Sequence, residues 1–260
     1  MTWTRGCSVM ITAERHQIIL DLLSRTGIVD LQSLVKRTKS SESTIRRDLA
    51  LLEKQGLLKR IHGGATLTTS KIDEPNIKDK SSNNLQDKRL IAQTATSFIR
   101  EGDCIYLDAG TTVSEMIPFL KDKNVVIVTN GLMHVDVLAG ANITTYLIGG
   151  RIKAHTKVIV GSVAQENLKQ FRFDKCFLGM NGIDLTYGLT TSDPEEAVLK
   201  KIAIELSEEA FVLADKSKFT KTFFAKIGDI EDVTIITTKL DDEGLTKQFL
   251  EKTNMKVVTL

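Results

Sequence analysis

Arg46 and Arg47 stand side by side in SESTIRRDLALLEKQGLLKRIHGGA, residues 41–65. Guanidinium groups there have two uses: bridging O6 and N7 of a guanine, or clamping phosphates. Ser43 and Thr44, just before them, are small hydroxyl residues that permit close approach to a groove. Ile45, Leu49 and Leu52 recur at spacings of four and three, so a helix over about 42–55, with Ser41 as N-cap, buries that stripe. Ser43, Arg46, Arg47, Ala50 and Lys54 are then left on the opposite face. Lys59, Arg60 and His62 follow on a strand and a Gly-Gly turn, where they would meet adjacent backbone phosphates in a salt-dependent way. A lone basic helix face is usually just solvated, with Asp48 as a neighbour, so context has to decide.

A second set of groups suits a phosphate. Asp108, Gly110, Thr111 and Thr112 lie between an apolar run and a helical pattern. Glycine there admits backbone amides to a ligand, and the threonines offer hydroxyls. A helix cap reads equally well from those residues alone. Other apolar runs end in similar groups: Thr129-Asn130, Gly149-Gly150 and Asn181-Gly182. In open α/β sheets ligands bind beyond such strand ends. Asp193 and Glu196, before and within a later helix, offer oxygens to sugar hydroxyls, or simply cap that helix. Lys218, or Lys216, is placed to pair with phosphate, against the reading of a solvated loop lysine.

The elements that must position these groups fall into two sets. Helices over 13–24 and 31–38, the 42–55 helix and the LLKRIHGGA strand and turn make a winged helix-turn-helix at 11–65. Gly27 and Gly56 stop the first and third helices, and the helical pattern begins just after Met10, read as the start of the protein proper. Residues 66–84 are polar and turn-rich and read as a linker. From 85 to 260, strands at 104–110, 124–130, 143–150, 175–182, 210–217 and 232–238 alternate with helices at 85–100, 131–139, 162–170 and 194–209. That alternation predicts an α/β domain with a largely parallel sheet.

Charge follows the same division. Residues 1–64 carry eleven Lys/Arg against six Asp/Glu, while the whole 260-residue chain nets only +2, so the remainder is acidic. A basic module joined to an acidic body suits a nucleic-acid partner. No run approaches the ~20 apolar residues of a membrane span, and no secretory apolar stretch opens the chain. A cytoplasmic protein is expected. Cys7, Cys104 and Cys176 are scattered without metal-ligand spacing, which argues against disulfides and zinc, and Cys104 and Cys176 are read as buried. Neither a metal nor a cofactor is expected.

The 41–65 stretch resembles the signature of the DeoR family of bacterial sugar-metabolism repressors, with T-I-R-R-D-L on the recognition helix and H-G-G on the wing, and the resemblance runs to about Thr238. It implies that Ser43, Thr44, Arg46, Arg47, Arg60 and His62 contact double-stranded operator DNA. It further implies that the second domain has a fold similar to ribose-5-phosphate isomerase and CoA-transferases and receives a phosphorylated sugar. DAGTT, TNG, IGG, FLGMNGI, TTSDPEEAVLK and ADKSKF resemble the fructose-operon repressors of Gram-positive bacteria, making fructose 1-phosphate the leading effector. A homo-oligomer, dimer or tetramer, is expected. One departure is Lys39, where the family often has glycine in the turn; lysine there incurs strain or needs a different turn. The rival reading is an active sugar-phosphate isomerase fused to a DNA-binding head, with Asp193, Glu195 or Glu196 as base.

Overall fold

A computed structural model describes residues 11–55, 57–66 and 77–259. The chain divides into two compact units, one up to Ser70 and one from Lys71. The readings of Met10 as a start, of Cys7, and of Gly56 as a helix stop lie outside the described residues.

The first unit runs α1 (Thr12–Thr26), β1 (Ile28–Asp30), α2 (Leu31–Thr38), α3 (Glu42–Lys54), β2 (Lys59–Ile61) and β3 (Gly64–Thr66). Ile19 and Leu23 of α1, Leu31 and Leu34 of α2 and Ile45, Leu49 and Leu52 of α3 close one apolar core. The spacing of Ile18, Ile19, Leu22 and Leu23 predicts one buried stripe on α1; Ile18 and Leu22 are only partly buried, Leu22 against this core. Ser41 accepts from Thr44 N at 3.3 Å and so begins α3. The three strands form an antiparallel sheet ordered β1-β3-β2. Gly63 takes φ +83 in the wing turn, and a Cβ on Gly64 would lie 2.1 Å from the Val29 carbonyl oxygen, so β3 can pass β1 only without a side chain there.

The second unit runs α4 (Ile77–Ser82), α5 (Leu85–Thr96), β4 (Cys104–Leu107), α6 (Thr111–Ser114), β5 (Val126–Thr129), α7 (Val135–Gly140), β6 (Thr144–Leu147), β7 (Arg151–Lys153), β8 (Val158–Val160) and α8 (Ser162–Leu168). It continues through β9 (Phe173–Gly179), β10 (Gly182–Asp184), β11 (Gly188–Thr191), α9 (Pro194–Glu205), β12 (Ser207–Leu213), β13 (Ala225–Gly228), β14 (Thr234–Thr238), α10 (Glu243–Lys252) and β15 (Asn254–Val258). Seven strands make one parallel sheet, ordered β15-β14-β12-β9-β4-β5-β6. Tyr106 of β4 stands in register between Val128 and Cys176. Cores lie on both faces, one around Ile91, Ile105 and Phe177, the other around Tyr106, Leu178 and Val212. Starting from β4, the chain first adds strands on one side and then, from β9, on the other. The switch falls between β4 and β9, where doubly wound sheets open a crevice at the carboxyl ends.

Several elements differ from the sequence reading. Within the 66–84 stretch, Thr66 ends β3 and 77–82 form α4, which belongs to the second unit; the Ile77 amide donates to the His155 carbonyl at 3.3 Å. The stretch 194–209 ends its helix at Glu205 and spends the rest in β12. The two small sheets, β7-β8 and β10-β11-β13, and the terminal α10 and β15 were not foreseen. Cys176 is buried but Cys104, at the start of its strand, is only partly so. No helix among the described residues is long and apolar enough to cross a membrane.

Candidate functional site

The first candidate surface is the outer face of α3 with the wing. Ser43, Arg46, Arg47, Lys54, Lys59, Arg60 and His62 are all exposed and Thr44 partly so. Arg46 is not loose: its Nε and Nη2 donate to Glu42 Oε1 at 3.0 and 2.6 Å, one turn back. Ser43 and Thr44 hydroxyls share hydrogen bonds with the Ser41 hydroxyl, at 2.9 and 2.8 Å, which sets them at the helix start. Arg60 pairs with Glu53 at 3.2 Å, fastening the wing to the end of α3. Between α3 and the wing lies a groove lined by Arg46, Arg60 and His62 over Leu31 and Leu49. Arg47 and Lys54 face solvent with no ion pair among the described residues.

Asp48 does not belong to that face. It is buried, and accepts from Arg15 Nε at 2.7 Å and Nη2 at 3.1 Å, with His16 Nε2 at 3.2 Å. The hydrogen bond to Asp48 raises the Arg15 pKa above its ordinary value despite burial. The signal was present in the spacing: 45, 48, 49 and 52 form one complete buried stripe, and its charged member required a buried partner.

The second candidate lies at the switch between β4 and β9. Residues Asp108–Thr112 after β4, Gly179–Asn181 after β9, Glu196 and Lys200 of α9, Thr156 and Val158 of the β7-β8 hairpin, Ile77 and Lys80 of α4, Leu213 and Lys218 line one cleft. Asp108 is its floor, 2% exposed; Oδ2 accepts from the Gly179 amide at 3.0 Å and from Lys200 Nζ. A Cβ on Gly110 would stand 3.1 Å from the Gly179 Cα, so the two strand ends meet backbone to backbone.

Cations gather at one end of the cleft. Lys88 Nζ donates to Thr111 Oγ1 at 3.0 Å and to the Lys80 carbonyl. Burial pushes the Lys218 ammonium down to about 8; Asp215 opposes that, and Lys80, Lys221 and Lys88 add to it as like charges. Lys88 is lowered as well, chiefly by burial. Crowded, desolvated lysines of this kind are stabilised by an anion. Toward β7, Glu196 accepts from Lys153 at 2.6 Å.

Of the residues singled out by sequence, Asp108, Gly110, Thr111, Thr112, Asn181, Glu196 and Lys218 line the cleft together. The rest stand behind it. Thr129 donates to the Leu107 carbonyl at 2.6 Å and accepts from the Gly131 amide. Since its proton is spent there, His134 Nδ1 donates to Thr129 at 2.9 Å, and Nε2 is left to accept from Ser114. Burial takes His134 down to about 4. Asn130 Oδ1 accepts from the Ala109 amide at 3.0 Å, so it shapes the loop that lines the cleft. Gly149 donates to Asn167 and Gly150 packs against Ile159 and Ala164, turning the chain into β7. Gly182 is pressed against the Lys221 backbone. Asp193 is the N-cap of α9, accepting from Glu195 and Glu196 amides at 2.8 and 3.3 Å, and pairs with Lys153 at 2.7 Å. Lys216 pairs with Asp241 at the surface.

Sequence reasoning missed Lys200, Lys80 and Thr156. Lys200 sits one turn beyond Glu196 on α9, an i, i+4 spacing that was legible; the other two come from segments read as linker or passed over.

Comparison with known proteins places this arrangement. Residues 15–71 match the DeoR-like helix-turn-helix domain and residues 83–239 the DeoR C terminal sensor domain. An uncharacterized HTH-type transcriptional regulator of Bacillus subtilis (strain 168), FruR, is 50% identical over 251 residues, covering 96% of this chain and 99% of the relative. A putative aga operon transcriptional repressor of Escherichia coli O157:H7 is 34% identical, covering 92% and 90%. The lactose phosphotransferase system repressor of Staphylococcus aureus (strain NCTC 8325 / PS 47) is 31% identical, covering 94% and 98%. Among solved structures, ribose 5-phosphate isomerase of Methanocaldococcus jannaschii is 19% identical with a TM-score of 0.41, covering 54% of this chain and 56% of that one.

Proposed function

The chain belongs to the DeoR family of helix-turn-helix transcriptional regulators, and from that premise we propose that it represses a fructose-utilisation operon and is released by fructose 1-phosphate. In this reading a homo-oligomer presents the α3 faces to operator half-sites, and the ligand binds in the cleft between the ends of β4 and β9. The observation that carries it is the desolvated lysine cluster at a sheet switch point, beside the Thr111 hydroxyl and the Asp108–Lys200 pair.

Phosphate oxygens are recognised by Lys218, Lys88 and Lys80, and the sugar lies along Asp108, Asn181 and Glu196. The proton-transfer alternative is not favoured. Glu195 and Asp193 are paired with Arg151 and Lys153, Glu196 is tied to Lys153, and the relatives are named regulators and repressors. The chain is accordingly read as a regulator and not as an enzyme.

Thermal shift of the full chain against fructose 1-phosphate, fructose 6-phosphate and tagatose 6-phosphate, followed by DNA retardation with the promoter region of its own operon, tests this. The reading expects fructose 1-phosphate to give the largest shift and to release the DNA. A larger shift from another sugar phosphate reassigns the pathway; no shift from any removes the sensor reading. Turnover of any of the three would revive the isomerase.

A further inference from the structure

Thr156 sits in the turn between β7 and β8 on the wall of the cleft, only 9% exposed, and its hydroxyl has no hydrogen-bond partner among the described residues. A buried hydroxyl without a partner is a cost that folds seldom carry. Tyr106, Thr191 and Thr238 also bury a hydroxyl without a partner, but of the four only Thr156 is in the cleft lining. The same hairpin holds the acidic side of the cleft. Lys153, which ends β7, donates to Glu196, and its carbonyl accepts from the Lys157 amide, closing the turn that carries Thr156. The lysine cluster gathers around Thr111 and Asp215, and α4, which carries Lys80, meets the same turn through the Ile77 amide on the His155 carbonyl. The cleft therefore carries cations, a buried hydroxyl with no partner among the described residues and a carboxylate acceptor in one lining.

We propose that the cleft is divided between two tasks: the lysine end seats the phosphate, while Thr156 together with Glu196 reads a hydroxyl on the carbon chain of the same ligand. A donor and an acceptor lining the same cleft match a hydroxyl, which both accepts and donates. The ligand is thus a phosphate ester of a polyhydroxylated chain, and Thr156 is what separates it from bare phosphate. This inference rests on the sugar-phosphate reading of the cleft.

The test compares the dissociation constants of inorganic phosphate and fructose 1-phosphate, by calorimetry on the full chain, in wild type, Thr156→Val and Thr156→Ser. Thr156→Val is expected to cut the preference for fructose 1-phosphate over phosphate by about fivefold to tenfold, the worth of one neutral hydrogen bond. Its ligand-free melting temperature should match or exceed that of wild type, because an unsatisfied buried hydroxyl has been removed. Thr156→Ser should restore most of the preference. An unchanged preference in Thr156→Val overturns the proposal. So does a lowered melting temperature with both ligands weakened alike, which makes Thr156 structural. Were wild type to bind neither probe, the sensor reading would fall with it; binding of both with an unchanged ratio sinks this inference alone.

Discussion

Lys218 brings a protonation equilibrium down toward neutral pH. With the ammonium pushed down to about 8 by burial and by Lys80, Lys221 and Lys88, an appreciable share of free protein loses the charge just above neutrality. A bound phosphate dianion favours the charged form, so the complex has the higher pKa and binding takes up a proton. Affinity should therefore hold below about pH 8 and fall as pH rises beyond it. The phosphate ester itself titrates near ~6 and is already a dianion across this window. Calorimetry at pH 7 and pH 9 should show weaker binding at pH 9, with Lys218→Met weaker at both and its pH response much reduced; a flat wild-type profile would remove Lys218 from the phosphate. A separation of roles follows for two other side chains. Arg47, exposed and without an ion pair among the described residues, is assigned to DNA alone in the proposed function: Arg47→Ala should weaken operator binding and lower the salt slope by about 1. Thr111, bonded to Lys88 in the cleft, should do the reverse when changed to Val, losing ligand affinity with DNA binding retained. Equal loss of both activities in either variant would point to misfolding.

Elements explain why these residues were unequally legible. The apolar stripe of α3 and its Ser41 cap follow from 3.6-residue spacing, and the strands β4, β5, β9, β12 and β14 follow from apolar runs between helical patterns. What escaped depends on pairing rather than local pattern. β1, β7, β8 and β10 are three-residue strands that exist only because a partner lies beside them, and Thr129 and Asn130 looked like ligand contacts because strand-end polar residues serve the loop as readily as the ligand. Lys39 is a case where the sequence posed the right question. It does adopt the left-handed conformation, φ 50 and ψ 33, as C-cap of α2. A non-glycine residue there costs about 1 kcal/mol, so Lys39→Gly should raise the stability of the winged-helix unit by up to that amount, less the extra entropy glycine brings to the unfolded chain. Chemical denaturation followed by circular dichroism measures it, and a loss of stability would show that the lysine has a compensating contact. Asp48 acts in the opposite sense. Removing it in Asp48→Ala takes the carboxylate partner from the buried Arg15, whose Nη2 still donates to the Thr12 hydroxyl at 3.2 Å, and a buried pair broken on one side costs up to about 3–5 kcal/mol. That variant should lose DNA binding through unfolding of the winged-helix unit while still binding fructose 1-phosphate.

At the scale of the molecule the two units have separate hydrophobic cores, one built on Ile19, Leu34 and Leu49, the others on the two faces of the parallel sheet. Charge follows the same line, with the basic excess on the first unit and the acidic remainder on the second. Independent cores melt independently unless their contact is large and apolar. Calorimetry should then resolve two transitions, each answering to its own ligand. At a hundredfold excess over its dissociation constant, a ligand stabilises the state it binds by about 2.7 kcal/mol, which raises the melting temperature of the larger second unit by roughly 5–10 °C and that of the smaller first unit by about twice as much. Fructose 1-phosphate should move the transition of the second unit and leave the first nearly in place, and operator DNA should do the converse. Adding both together carries the regulatory information. If ligand and DNA oppose one another, each must lower the other's affinity by the same factor, so the two shifts together must fall short of the sum of the separate ones. Shifts that simply add would mean that the sugar phosphate binds without communicating with the DNA-binding unit, and repression would then have to be relieved by some other signal.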